Sequence, residues 1–519
     1  MMSLSQMVRS MALHRQNQLA TVYADRSRTW LEWLADIQRL AGGLQALGMA
    51  AGDRCAIVSL NTDRYLDAIF ANAWAGGITV PVNTRLEPGE VAYILDHAEV
   101  SFVFVDEACA PLLAAAIDLS DQSPTVIAME PGTQFADVQS LIDSHAPIED
   151  AGRCDDDVAS ILYTGGTTGR SKGVMLTHAG HVIHSMAMWS GRVTDFPKMR
   201  FLHTAPMFHA ADIEFAYGVT AIGGTHYIVS RFEPGEFIES VARWRITDSL
   251  LVPTMIQMTL AHEAMATTDL TCLKRLWYGG APIAEAVLRK FKAALPTCGP
   301  VQLYGQTEAC PIITCLEVED HDLDGPHPER LRSCGRAIQG CEVRIAGPDG
   351  AELPKGEVGE ILARSGTIMA GYWRDPEQTA STIRDGWLHT GDAGYMDEEG
   401  YVFITDRIKD MIITGGENVY STEVEQAIYA IDGVAQCAVI GLPDEKWGER
   451  VHAVIVPGAG KALDADAVRS ELKGQLAGFK IPRSMEFREG PLPMSGAGKI
   501  LKRVLRDQAR EQMDDTVQG

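Results

Sequence analysis

Apolar residues at helical spacing alternate with short apolar runs along the first third of the chain, a pattern of helices interleaved with strands. Thr29 and Glu32 have the spacing of a capping box, in which each side chain bonds the other residue's backbone N–H. Trp33, Ile37, Leu40 and Leu44 follow on one face, and Gly48 closes the predicted helix. Residues 55–60, 78–82 and 102–105 read as strands, and residues 65–74 and 88–97 as helices between them. Strands alternating with helices predict a parallel sheet. In the middle of the chain, residues 159–163 run straight into a Gly/Thr loop, and Pro253 is suited to open a helix after residues 250–252. Residues 273–278 and 301–304 also run into glycines. Ligands of parallel sheets bind beyond the carboxyl ends of the strands, where these loops fall.

From about residue 335 the pattern changes. Residues 342–345 and 359–363, with a turn at Pro348-Asp349-Gly350, predict a β-hairpin region. Beyond Lys409 comes a compact α+β segment. Thr422 and Glu425 have capping-box spacing, with Val424, Ala427, Ile428 and Ile431 on one helical face. Strands are expected at 438–440 and 451–456. Asp464 is expected to cap a helix that carries Val468, Leu472 and Leu476 and ends at Gly478; the polar tail past about 508 is expected to fray. A chain of 519 residues exceeds the ~250–300 that one core usually organises. The fold class is therefore α/β. A large domain of parallel-type α/β layers with a β-rich subdomain spans 1–408, and a small α+β domain spans 409–519.

The net charge of -24 argues against non-specific nucleic-acid binding, which rests on clustered Lys and Arg. The ten cysteines form no CxxC pair, and no His/Cys cluster has metal-ligand spacing along the chain. This usage fits a reducing cytoplasm. No apolar run is long enough for a membrane span, and the first residues lack the apolar stretch of a signal peptide.

The most informative string is Tyr163-Thr-Gly-Gly-Thr-Thr-Gly-Arg-Ser-Lys-Gly-Val174, directly after an apolar run. Glycines let backbone approach a polyphosphate, N–H groups and threonine hydroxyls donate to its oxygens, and Lys172 adds positive charge. A kinase- or GTPase-type P-loop is excluded, because Lys172 follows Ser171 instead of preceding a Ser or Thr. The string resembles the phosphate loop of the adenylate-forming superfamily, in its acyl-CoA synthetase and aryl-CoA ligase branch. Further motifs occur in family order over almost the whole chain: residues 206–211 (PMFHAA), 278–282 (YGGAP), 304–309 (YGQTEA), 386–392 (GWLHTGD), 406–410 (DRIKD) and 493–501. Two positions depart from the common pattern: Gly165 replaces a frequent Ser and Ser171 a frequent Pro.

The resemblance implies ATP, Mg²⁺ and coenzyme A as cofactors and a small carboxylic acid as substrate. It assigns Thr164, Gly165, Gly166, Thr167, Thr168 and Lys172 to the polyphosphate, and Glu308 with Thr168 to Mg²⁺. Thr307 faces the α-phosphate. Gly280, Ala281, Pro282 and Tyr304 resemble the adenine slot, Gly305 is a further cofactor-binding position, and Asp392 with Arg407 takes the ribose. His209 lines the path between acyl pocket and thiol tunnel. Lys499 bridges the carboxylate and the α-phosphate, where a cation offsets the meeting of two anions. Lys409 is the hinge about which the small, mobile domain turns, bringing Gly415, Gly416 and Glu417 to the thiol tunnel.

Pocket candidates for the acid are Trp189, Met207, Phe208, His209, Phe215, Tyr278, Gly279, Gly305, Cys310, Pro311, Ile312 and Ile313. This mostly apolar set points to a medium-chain or aromatic acid in preference to acetate. One alternative is transfer of the acyl group to a carrier protein or another acceptor. Another is a non-catalytic nucleotide sensor, which retention of Glu308 and Lys499 disfavours. The resemblance allows a homodimer, although no self-complementary patch is visible in the sequence.

Overall fold

The computed structural model describes residues 1–164, 170–190, 198–281, 283–444, 446–458, 460–494 and 500–518, with side chains to residue 510. Two sheets dominate residues 1–408. One runs, in spatial order, through Arg336–Ala337, Ile312–Leu316, Gly299–Gly305, Arg275–Gly279, Asp248–Leu251, Arg200–His203, Thr225–Ile228, Leu19–Tyr23 and Arg26–Thr29. The other runs through Gly371–Tyr372, Lys172–Thr177, Val158–Thr164, Ile78–Pro81, Arg54–Val58, Val100–Val105, Thr125–Ala128 and Ala136–Asp137. Both are parallel in their interiors; the first is antiparallel at both edges and the second at one, its other edge, Ala136–Asp137, being parallel.

Between the sheets lies a helical layer. Trp30–Ala46 opens with the capping box expected from Thr29 and Glu32. Asp63–Ala75 is buried at every position, as a helix covered on all sides must be. His178–Trp189 and Ala210–Ile222 complete the layer. Trp30, Trp33, Phe70 and Tyr217 from these helices share a core with Ile57 and Phe104 of one sheet and Ala20 and Ile228 of the other. Outer helices cover the far faces: Phe237, Val241 and Phe291 on the first sheet, Val91, Ile94 and Leu95 on the second.

The expected hairpin region is a separate sheet of Cys341–Ala346, Gly359–Ser365, Ile383–Arg384, Trp387–Met396 and Val402–Arg407. A fourth sheet, built on the long strands Val434–Asp444 and Gly448–Pro457, organises the C-terminal segment.

Three local expectations are corrected. Thr422 and Glu425 do not cap their helix, which spans Ser421–Tyr429 with Tyr420 at the N-cap. The Thr422 hydroxyl donates to the Thr405 carbonyl, while Glu425 pairs with Lys502 and accepts the Val439 N–H. Long-range partners outbid the local ones. Asp464 does cap its helix, but the helix stops at Leu472, and Leu476 reaches the same core from the turn beyond. The polar tail is helical over Lys502–Gln518, with Leu505 and Ala509 buried against the two long strands. Among the described residues, no helix is long and apolar enough to cross a membrane.

Candidate active site

The carboxyl ends of three strands meet at one edge of the large domain. Val158–Thr164 and Lys172–Thr177 form the stem of the Gly/Thr loop, with Thr164 directly opposite Lys172. The loop residues Gly165, Gly166, Thr167 and Thr168 lie outside the described residues, as do Pro282 and Lys499. Gly279 ends the strand Arg275–Gly279, and exposed Gly280 and half-buried Ala281 follow it. Tyr304 and Gly305 end the strand Gly299–Gly305, and a single 3-10 turn, Thr307–Ala309, carries Thr307 and Glu308. Gly305 is required by packing: a Cβ there would sit 1.8 Å from the Pro311 carbonyl oxygen, inside van der Waals contact with backbone.

Two chains of side chains tie these elements together. In the first, the Tyr304 hydroxyl donates to Asp392 Oδ2 at 2.8 Å, and Arg407 Nε forms an ion pair with Asp392 Oδ1 at 2.8 Å. Asp392 and Arg407 face each other across the third sheet, so the register places the pair. Burial, and then the Asp392 carboxylate, push the Tyr304 phenol well above its ordinary range, so it stays a donor.

In the second chain, the Tyr372 hydroxyl donates to Glu308 Oε1 at 2.8 Å, and Lys172 Nζ stands 5.1 Å from the centre of the Tyr372 ring. Tyr372 is brought there by antiparallel pairing of Gly371–Tyr372 with Val174 and Met175. Sequence reading missed Tyr372; the Gly-Tyr-Trp string at 371–373, following the hairpin region, was the available signal. Glu308 is half-buried, with one oxygen fixed by a neutral donor, which suits a hard cation such as Mg²⁺.

The stem has its own brace. The His97 ring bonds the Tyr163 hydroxyl at 2.7 Å and stacks on Tyr93, whose hydroxyl donates to the Ser171 carbonyl. Trp373 completes the brace, donating Nε1–H to the His97 carbonyl and its backbone N–H to that of Gly173.

The acyl candidates divide. Trp189, Phe215 and Ile312 belong to one cluster, joined by Trp277 and Phe201, which the sequence reading had not included. Trp189 and Trp277 meet edge-on with centroids 5.4 Å apart, and Phe215 stacks on Phe201 at 4.9 Å. Tyr278 lies apart from this cluster: alternation along its strand sends Trp277 into it and Tyr278 to the opposite face, where its hydroxyl meets His321 Nε2 at 2.8 Å. Met207 and Cys310 join the central helical core, and Ile313 packs with Ala309 and Leu388. Phe208 is half-buried, and Pro311 directly precedes the strand carrying Ile312. His209 is the N-cap of Ala210–Ile222, its Nδ1 accepting the Ala211 N–H at 3.2 Å, a structural duty beside any lining role.

Lys409 lies in the turn after Val402–Arg407. Burial, then the neighbouring Arg407, bring its amine down to about 8. Gly415 and Gly416, both left-handed, turn the chain from Ile412–Thr414 into Glu417–Val419, with Trp447 against Gly415.

Residues 8–373 match the family model for AMP-binding enzymes, and residues 423–499 match that for the AMP-binding enzyme C-terminal domain. The chain belongs to the AMP-binding enzyme family. The feruloyl-CoA synthase of Amycolatopsis sp is 39% identical over 498 residues, 95% of this chain and 94% of that protein. The long-chain-fatty-acid–CoA ligase FadD13 of Mycobacterium tuberculosis is 35% identical over 490 residues, 93% of each chain. The ATP-bound structure of MatB from Rhodopseudomonas palustris superposes with a TM-score of 0.87 at 31% identity, covering 98% of this chain and 99% of that one. In this AMP-binding enzyme, the chains through Asp392 and Glu308 thus frame one strand-end edge.

Although no His/Cys cluster has metal-ligand spacing along the sequence, the fold gathers His181, Glu214 and Cys310 from two helices and a turn.

Proposed function

We propose that this enzyme activates an aromatic or arylalkanoic acid. The reaction class is that of an AMP-forming acid–coenzyme A ligase. The acid carboxylate attacks the α-phosphate of ATP to give an acyl-adenylate and pyrophosphate, and the coenzyme A thiol then displaces AMP.

The aromatic box of Trp189, Phe201, Phe215 and Trp277 carries the acid assignment. Clustered rings offer an aromatic apolar surface of the kind that complements another ring. The indole N–H groups of Trp189 and Trp277 are buried without a hydrogen-bond partner among the described residues. A substrate oxygen on the ring would satisfy one of them. Similarity to a feruloyl-CoA synthase points the same way.

The remaining roles are those the family resemblance implies. Lys172 and the Gly/Thr loop hold the triphosphate, and Asp392 with Arg407 takes the ribose hydroxyls. Glu308 with Thr168 would hold Mg²⁺, which supplies charge neutralisation at the phosphates when bound. Lys499 orients the carboxylate. The domain 409–519 turns about Lys409 between the half-reactions, presenting Gly415, Gly416 and Glu417 to the thiol. All ten cysteines are free, in keeping with a cytoplasmic enzyme.

The test measures AMP and pyrophosphate release with ATP and Mg²⁺, with and without coenzyme A. The acids are acetate, straight chains, benzoates, cinnamates and arylalkanoates. Coenzyme-A-dependent turnover highest on the aromatic acids is expected. A preference for straight chains would refute the acid assignment, and adenylation without dependence on coenzyme A would refute the acceptor.

A further inference from the structure

We infer that His181, Glu214 and Cys310 form a binding site for a transition-metal ion of the zinc type, separate from the Mg²⁺ site at Glu308. His181 lies on the helix His178–Trp189, Glu214 on Ala210–Ile222, and Cys310 on the turn that carries Glu308. His181 Nδ1 is 2.7 Å from Glu214 Oε1 and 3.4 Å from Cys310 Sγ, and one ligand atom from each residue lies within 4.8 Å of the others. All three residues are buried.

The donor set is the kind zinc takes: imidazole, thiolate and carboxylate. Tetrahedral coordination with Zn–N of ~2.0 Å and Zn–S of ~2.3 Å puts nitrogen and sulfur about 3.5 Å apart, close to the spacing present here. The His181–Glu214 contact would open by roughly half an ångström to admit the ion. A thiolate and a carboxylate sum to two negative charges, which a divalent ion cancels at a buried site. Mg²⁺ prefers oxygen ligands and is a poor match for this set.

An outer shell is already in place. Ser160 Oγ lies 2.9 Å from His181 Nε2, so Nε2 can carry the proton and leave Nδ1 as the ligand. His184 Nδ1 lies 3.3 Å from Glu214 Oε2. Neither atom completes a hydrogen bond among the described residues, nor does His184 Nε2. These are unpartnered polar groups on residues 0% and 1% exposed, at the edge of the trio. Cys310 also adopts a left-handed backbone, φ +61°, which residues other than glycine seldom do. An ion there would pin the two central helices to the turn bearing Glu308.

The experiment uses the full chain, purified without Mg²⁺ or nucleotide. Metal content is measured after incubation with Zn²⁺ and removal of the excess. A parallel sample takes Co²⁺, whose thiolate charge-transfer and tetrahedral bands report the ligands. The expected result is about one ion per chain, a sulfur-to-cobalt band, and loss of both in Cys310→Ala, with far-ultraviolet circular dichroism unchanged. His181→Gln provides an independent variant should Cys310→Ala fold poorly. Absence of stoichiometric metal in the wild type would overturn the site and leave a hydrogen-bonded cluster. Metal retained in both folded variants would overturn this ligand set. Neither outcome bears on acid activation, which is read separately.

Discussion

Tyr372→Phe deletes one oxygen and leaves the ring on which Lys172 rests, so it isolates the donation to Glu308. Burial, then the Glu308 carboxylate, raise the Tyr372 phenol above its ordinary range, so the proton stays on tyrosine throughout the working pH range. Without it, Glu308 loses the contact that fixes its rotamer beside the phosphate stem. Hydrogen bonds to charged groups contribute about 1.5–3 kcal/mol, and the partial exposure of Glu308 favours the lower end. A loss of about 1.5 kcal/mol is roughly tenfold. The expected result is a roughly tenfold rise in the Mg²⁺ concentration needed for half-maximal pyrophosphate release, with far-ultraviolet circular dichroism unchanged. Thioester formation from supplied acyl-adenylate, which needs no triphosphate, should be spared. An unchanged Mg²⁺ dependence, or equal loss in both half-reactions, would refute the argument and reduce Tyr372 to packing.

Asp392→Ala strands the Tyr304 hydroxyl and the Arg407 guanidinium, and should raise KM for ATP by roughly 10–100-fold in an ATP titration. Gly305→Ala drives a Cβ into the Pro311 carbonyl and should cost about 1–3 kcal/mol in urea unfolding. Lys409 holds its proton to about pH 8 in the folded chain, against an ordinary lysine value of 10.5. The unfolded chain therefore binds more protons between these values, and wild type should gain stability over Lys409→Met as pH rises through that window. Lys499→Ala should cripple pyrophosphate release while sparing thioester formation from supplied acyl-adenylate.

Local signals in the sequence proved the most legible. Thr29 and Glu32 could be read because both partners lie within one helical turn. The same logic failed at Thr422 and Glu425, whose partners at Thr405 and Lys502 come from distant chain. The tail past 508 was misread because Ala509, with Leu505 one turn earlier, finds a strand surface that composition does not reveal. Asp392, Arg407 and Tyr304 were each singled out by motif, though not their mutual contacts, whereas Tyr372 depends on an edge pairing no local pattern announces. Tyr278 was placed in the acyl set by its motif, whereas strand alternation assigns that face to Trp277. The His181, Glu214 and Cys310 grouping is invisible to spacing rules, because it joins three separate elements.

The edge pairing of Tyr372 with Val174 also sets a timetable for biosynthesis. The strand Lys172–Thr177 leaves the ribosome about 200 residues before its edge partner, a delay of roughly 10–40 s at ordinary elongation rates. Through that interval its outer edge is an open template for foreign strands. Leu19–Tyr23 waits as long for Thr225–Ile228. A nascent chain truncated before Gly371 would carry the Gly/Thr loop without Tyr372, so an arrested fragment would lack the contact that holds Glu308.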